Sequence, residues 1–301
     1  MLALPLKDYF SGYIENAARQ LGAEPEALLQ RLTGYYDGYC FEKTATVRVM
    51  NPWSVMSFLI YPTRGFRDHW FQTGGQPSVL KDLFRSGALK DPKNFAAVKT
   101  IPFSQLGGPA IGENFSEVDL LTQTGYLTFK SVDGNIAIVD YSTEEVRHAM
   151  AGMYLHQLVG KTIEQAGVMD FAIRLVKDNP ETLVRIFNRL LESVDYEAYS
   201  IEDAKSVLAV IQIAMINVRL SPVIKVIAKG ESVLEVQAGE RTIVLTLEYC
   251  HPDQEAEQLL QVAVSQLDKP FSGKLGGRME ILKLVLVFSE SDRRITVWSV
   301  A

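Results

Sequence analysis

The stretch at 235–261, EVQAGERTIVLTLEYCHPDQEAEQLLQ, restricts the possible folds of this chain more than any other. Two apolar runs flank Ala238-Gly239-Glu240, a turn signal, so its first half reads as a β-hairpin. The run from Ile243 to Cys250 is too apolar to be half exposed and predicts a central strand. Alternation puts Thr246, Glu248 and Cys250 on one face, and Leu245, Leu247 and Tyr249 on the other. Ala256, Leu259, Leu260, Ala263, Val264 and Leu267 then recur with the spacing of a helix. A carboxylate late in a buried strand, beside a second from the paired strand, suits a divalent metal; Glu235 and Glu248 are the candidates.

Upstream, residues 8–33 predict two short helices. An aromatic and glycine-rich segment, YYDGYCF (35–41), leads to NPWSVMSFL (51–59), where Asn51 or Ser54 can cap a helix that has Pro52 in its first turn. HWFQTGGQPSVL (69–80) repeats the pattern of aromatics, a tight turn and a helix. A short helix at 115–122, a hairpin turning at Asp133-Gly134-Asn135, and a helix opened by a Ser142–Glu145 capping box together predict a winged-helix-like unit. Its many acids, Asp119, Asp133, Asp140, Glu144 and Glu145, favour packing over binding to DNA. A helix starting at Pro180 and a long one over 202–220 precede strands near 223–228, 232–237, 242–250, 281–289 and 295–300. Phe41, Trp53, Phe58, Trp70 and Tyr126 are expected to be chiefly structural, joining the helical and winged regions into one body.

These segments carry a resemblance. YYDGYCF, NPWSVMSFL, HWFQTGGQPSVL, QTGYLTFK (123–130), ILKLVLVFS (281–289) and VWSV (297–300) are similar to a bacterial family that joins an AAA-ATPase-like module to a PD-(D/E)XK nuclease-like domain. The resemblance implies an α/β fold: a helical lid-like region over 1–100, a winged-helix-like region over 101–175, and a PD-(D/E)XK-like domain with a mixed central sheet over 176–301. It implies Glu235 as the first acid of the nuclease pattern, Glu248 as the second, and Gln261 as the polar helix position. Cys250 stands where the pattern has lysine, and Ser232-Val233 where it has Gly-Arg. Lys225 and Lys229 are the residues that could supply a migrated cation. A working nuclease of this kind takes Mg²⁺ or Mn²⁺, with Glu235 and Glu248 as ligands.

The ATPase module of that family precedes the YYDGY segment, which here begins too early for a nucleotide-binding βαβ unit to fit before it. Neither Gly107–Gly112, followed by Glu113 and Asn114, nor Ser272-Gly-Lys completes a phosphate-binding loop, so no ATP binding is expected. A net charge of −6 gives no bulk attraction to nucleic acid. Two cysteines, Cys40 and Cys250, form no disulfide framework and suit a reducing compartment. With no long apolar run and no leader pattern, the expectation is a cytoplasmic protein without a membrane contact. Two functions stay open: a non-catalytic binding or scaffolding module for a protein or nucleic acid, and a metal-dependent DNA or RNA nuclease. A softer metal on Glu248, Cys250 and His251 is disfavoured, because His251 falls on the opposite face. His148 and His156, eight apart, share a helix face without forming a catalytic constellation.

Overall fold

Apolar residues at helical spacing near the amino terminus form a three-helix packing. Helix α1 (Ala3–Leu21) supplies Ile14, Ala17 and Ala18, α2 (Pro25–Tyr36) supplies Leu28, Leu32 and Tyr36, and α3 (Pro52–Ile60) supplies Val55, Phe58 and Leu59 to one buried cluster. The first helix is longer than its periodicity suggests and bends at Phe10, where φ is −121°. Asn51 caps α3, its side chain accepting from the N–H groups of Trp53 and Ser54 ahead of a first-turn Pro52. The computed structural model describes residues 3–40, 42, 44–72, 91–105, 116–159, 167–168, 170–226, 232–267 and 280–301. By its contacts the chain divides into two units, Met1–Ala88 with Ala97–Met150 and Leu89–Ala96 with Ala151–Ala301. The helical and hairpin regions thus share the first unit.

In the first unit, β1 (Asp37–Tyr39) and β2 (Val49–Met50) pair antiparallel. Gly38 explains the glycine of YYDGY: at φ +143° a Cβ would lie 2.1 Å from the Ser142 carbonyl oxygen. After the short α4 (His69–Gln72), β3 (Lys99–Pro102), β4 (Leu127–Asp133) and β5 (Ile136–Tyr141) form an antiparallel sheet in the order β3-β5-β4. The turn falls where the sequence places it, at Gly134 and Asn135. A bulge interrupts β4 between Phe129 and Ser131, and the Arg48 guanidinium donates to the carbonyls of Phe129 and Lys130 there. Helix α5 (Glu117–Gln123) carries a reciprocal cap between Ser116 and Asp119. The expected Ser142–Glu145 box at the start of α6 (Glu144–Leu158) does not form. Thr143 Oγ1 accepts from the Val146 N–H instead, and the Glu145 side chain turns inward.

The second unit is an α/β sandwich. Helix α7 (Phe171–Lys177) and α8 (Pro180–Leu191) precede α9 (Ala204–Asn217), which is buried on every side from Ser206 to Ile216 rather than along one stripe. Strands β6 (Val223–Val226), β7 (Ser232–Ala238), β8 (Arg241–Cys250), β9 (Glu280–Ser289) and β10 (Arg294–Val300) lie in the order β10-β9-β8-β7-β6. Among the described residues only β8 and β9 are parallel neighbours; the other pairs are antiparallel, so the sheet is mixed. The β8-to-β9 crossover carries α10 (Ala256–Leu267), which contacts β8, β9 and β10, whereas α9 contacts β6, β7 and β8. Both faces of β8 are buried, Ile243 and Leu245 on one and Val244 and Thr246 on the other, as its continuous apolar run predicts. Asn188 of α8 ties β10 down from both sides of one residue, donating to the Ile295 carbonyl and accepting from its N–H.

Candidate functional site

Strand register decides where the two expected carboxylates stand. Gly239, at φ +63°, closes β7 onto β8 in a two-residue turn that pairs Ala238 with Arg241 and Glu235 with Val244. Glu248 follows four residues after Val244 on the same face, roughly 13 Å along the strand at about 3.3 Å per residue. Side chains stand nearly perpendicular to a sheet, so the register does not bring the two carboxylates to one ion.

Glu235 has another partner. The Lys225 ammonium, on the edge strand β6, lies 2.6 Å from Glu235 Oε2. Lys225, weighed as a migrated cation, thus forms an ion pair with the first acid. Glu248 is half-buried and pairs with Val287 of β9. Lys229 lies outside the described residues, as do the residues 107–112 and 272–277 weighed as phosphate loops.

Cys250 is buried at the end of β8, its thiol directed at the carbonyls of His251 and Gln254 at 3.6 and 3.5 Å. Burial pushes its pKa up, and nearby Asp253 and Asp292 push the same way. This is a packed thiol, not a nucleophile. His251 is exposed and places Nδ1 2.9 Å from Glu290 Oε2. Gln261 is solvent-exposed on α10, and Ala263 is a buried position of that helix. Among the described residues no group of three or more His, Cys, Asp or Glu could hold a metal ion. Glu235 and Glu248 are thus not placed to share the Mg²⁺ or Mn²⁺ that the resemblance implies. Among the described residues, too, no helix is long and apolar enough to cross a membrane.

The first unit holds a polar centre that the sequence reading assigned only to a cap. Glu145 is fully buried. It accepts the Ser54 hydroxyl at 2.8 Å and the Trp70 N–H at 2.9 Å. Burial raises its pKa to about 7; the Trp70 N–H and Ser54 hydroxyl pull it down and Asp68 pushes it up, with the His69 N–H again lowering it. Ser54 is likewise fully buried, so its role is to satisfy this carboxyl and not to cap α3. The signal available in the sequence was an acid three positions after Ser142, which periodicity alone cannot separate from a capping-box residue.

Of the five aromatics expected to be structural, Phe58 and Tyr126 are fully buried, and Trp70 packs edge-on against Tyr126 with centroids 4.8 Å apart. Trp53 is 56% exposed, a correction: as the first-turn residue after Pro52 it faces away from the cluster that its neighbours Val55 and Phe58 enter. Phe41 lies outside the described residues. Comparison with protein-family models, with curated proteins and with solved structures finds no match to this chain.

Proposed function

We propose that the chain is a non-catalytic binding or scaffolding module, with a winged-helix-like first unit and a second unit of the PD-(D/E)XK type whose nuclease site has lost its chemistry. One observation carries this reading: Glu235 is held by Lys225 at 2.6 Å and stands four residues out of register with Glu248. In-line phosphodiester hydrolysis needs carboxylates that share a metal, an activated water and a cation at the developing charge. Here the cation neutralises one of the two acids, and a buried thiol fills the place of the lysine. The helix–hairpin–helix of the first unit and the mixed sheet with its helical crossover in the second support the two fold assignments.

The purified chain is expected to leave plasmid, linear and single-stranded DNA, and RNA, uncut in Mg²⁺ or Mn²⁺. Metal-dependent cleavage that Glu248→Gln abolishes would overturn the reading. It would make the chain a nuclease that recruits Glu248 without Glu235.

A further inference from the structure

The two parallel strands β8 and β9 end side by side at Cys250 and Ser289, and the carboxyl ends of parallel strands are where open α/β sheets place ligands. A concavity of about 340 Å³ lies there, within the second unit. Tyr249, at the end of β8, and Tyr196 contribute half-exposed rings, and the buried Phe288 ring of β9 packs beneath them with centroids at 5.5 and 6.5 Å. Around these rings the pocket carries three exposed carboxylates, Glu197, Glu202 and Glu290.

We propose that this pocket binds an organic cation: an alkylammonium or guanidinium group inserted between the aromatic faces and the carboxylates.

Three features select that chemistry. First, one aromatic face already takes a cation. The Arg293 guanidinium sits 4.9 Å over the Tyr196 ring, the geometry of a cation–π contact. Second, the lining carries more negative than positive charge. Glu197, Glu202 and Glu290 stand against Arg293, with His251 paired to Glu290 and Lys93 engaged 3.0 Å away on Asp203. The Tyr249 phenol reports the resulting potential: burial raises its pKa to about 12, and Glu290, Glu202 and Asp203 add to the rise. An anion is disfavoured by the same charges. Third, an aromatic floor favours a weakly hydrated organic cation over a hydrated metal ion, which needs oxygen ligands on several sides. The pocket is remote in function from the Glu235–Glu248 face, so nuclease activity on that face would leave this proposal standing.

The group can belong to a free amine or to a lysine or arginine of a partner, and two probes separate these sources. Calorimetry would follow agmatine binding to the full chain, and fluorescence anisotropy would follow a labelled Lys- and Arg-containing peptide beside its lysine-acetylated, arginine-free counterpart. Saturable binding of agmatine alone assigns a free amine. Peptide binding at least about tenfold tighter than agmatine, lost in the neutral counterpart, assigns a partner's side chain. Glu197→Gln with Glu202→Gln, both exposed positions, should weaken the bound probe about fivefold or more, and Arg293→Ala should strengthen it by removing the built-in competitor. Absence of saturable binding by both probes overturns the proposal. So does binding that the Glu197→Gln, Glu202→Gln variant leaves unchanged, since the cation would then be held elsewhere.

Discussion

At the scale of single residues, Glu145 makes the sharpest prediction. The folded state holds its proton to about pH 7, while the unfolded chain releases it near the ordinary carboxylate value of about 4.3. Between those values the unfolded state binds fewer protons, so stability falls as pH rises through the window, by an amount on the order of 3 kcal/mol. Glu117, also raised to about 7 by burial, adds a change of the same sign, so the wild-type profile alone does not isolate Glu145. Glu145→Gln does: its amide can still accept from the Trp70 N–H, and it carries no titration. Urea midpoints of the variant should fall less than wild type across this window, and the variant should be the more stable above about pH 7. Parallel profiles for the two proteins would show that Glu145 ionises at an ordinary pH. In the second unit, the buried Cys250, with its pKa raised, should react with a thiol reagent only on unfolding. Fast labelling of the native chain that Cys250→Ser removes would contradict that placement. Neither residue's environment could be read from its neighbours in sequence. Ser54 lies 91 positions from Glu145, and a strand pattern does not say which end of a strand is packed.

At the scale of elements, the hydrophobic pattern was informative wherever one strand or helix decides its own burial. The five strands expected near 223–228, 232–237, 242–250, 281–289 and 295–300 appear, with ends among the described residues shifted by at most one residue; residues 227 and 228 lie outside them. Period-two alternation and Gly239 suffice to place them. What the pattern could not supply was register. The thirteen-residue spacing of Glu235 and Glu248 looks like a metal pair in sequence, but pairing across a two-residue turn sends them to different levels of the sheet. Helix faces show the same limit. Trp53, Val55 and Phe58 are close in sequence, yet only the last two enter the three-helix core. Phe58→Ala should therefore cost about 3–5 kcal/mol, and Trp53→Ala less than about 1, because an exposed ring leaves no cavity. Denaturant titrations of the two variants would reverse this ordering if the tryptophan, not the phenylalanine, were the anchor.

At the scale of the whole chain, the boundary between the two units falls inside a helix. Val146 and Met150 are buried in its first-unit part, and Ala151, Tyr154 and Leu155 in its second-unit part. One continuous helix contributes buried residues to both units, so the two units should unfold together. The tryptophans allow this to be tested: Trp53 and Trp70 belong to the first unit and Trp298 to the second. Removing the first pair as Trp53→Phe with Trp70→Phe leaves a reporter on the sheet, and Trp298→Phe leaves reporters on the helical side. Each change shifts overall stability, so each reporter is compared with far-ultraviolet dichroism of its own variant, and the two signals should give coincident midpoints. Gly152→Pro, placed mid-helix, removes an intrahelical hydrogen bond and disfavours the preceding turn by about 3 kcal/mol. In that background fluorescence and dichroism should separate, with the helical side losing structure at a different denaturant concentration from the sheet. Separation already present without the proline would mean that each unit folds on its own share of α6, and that the helix joins them without coupling them.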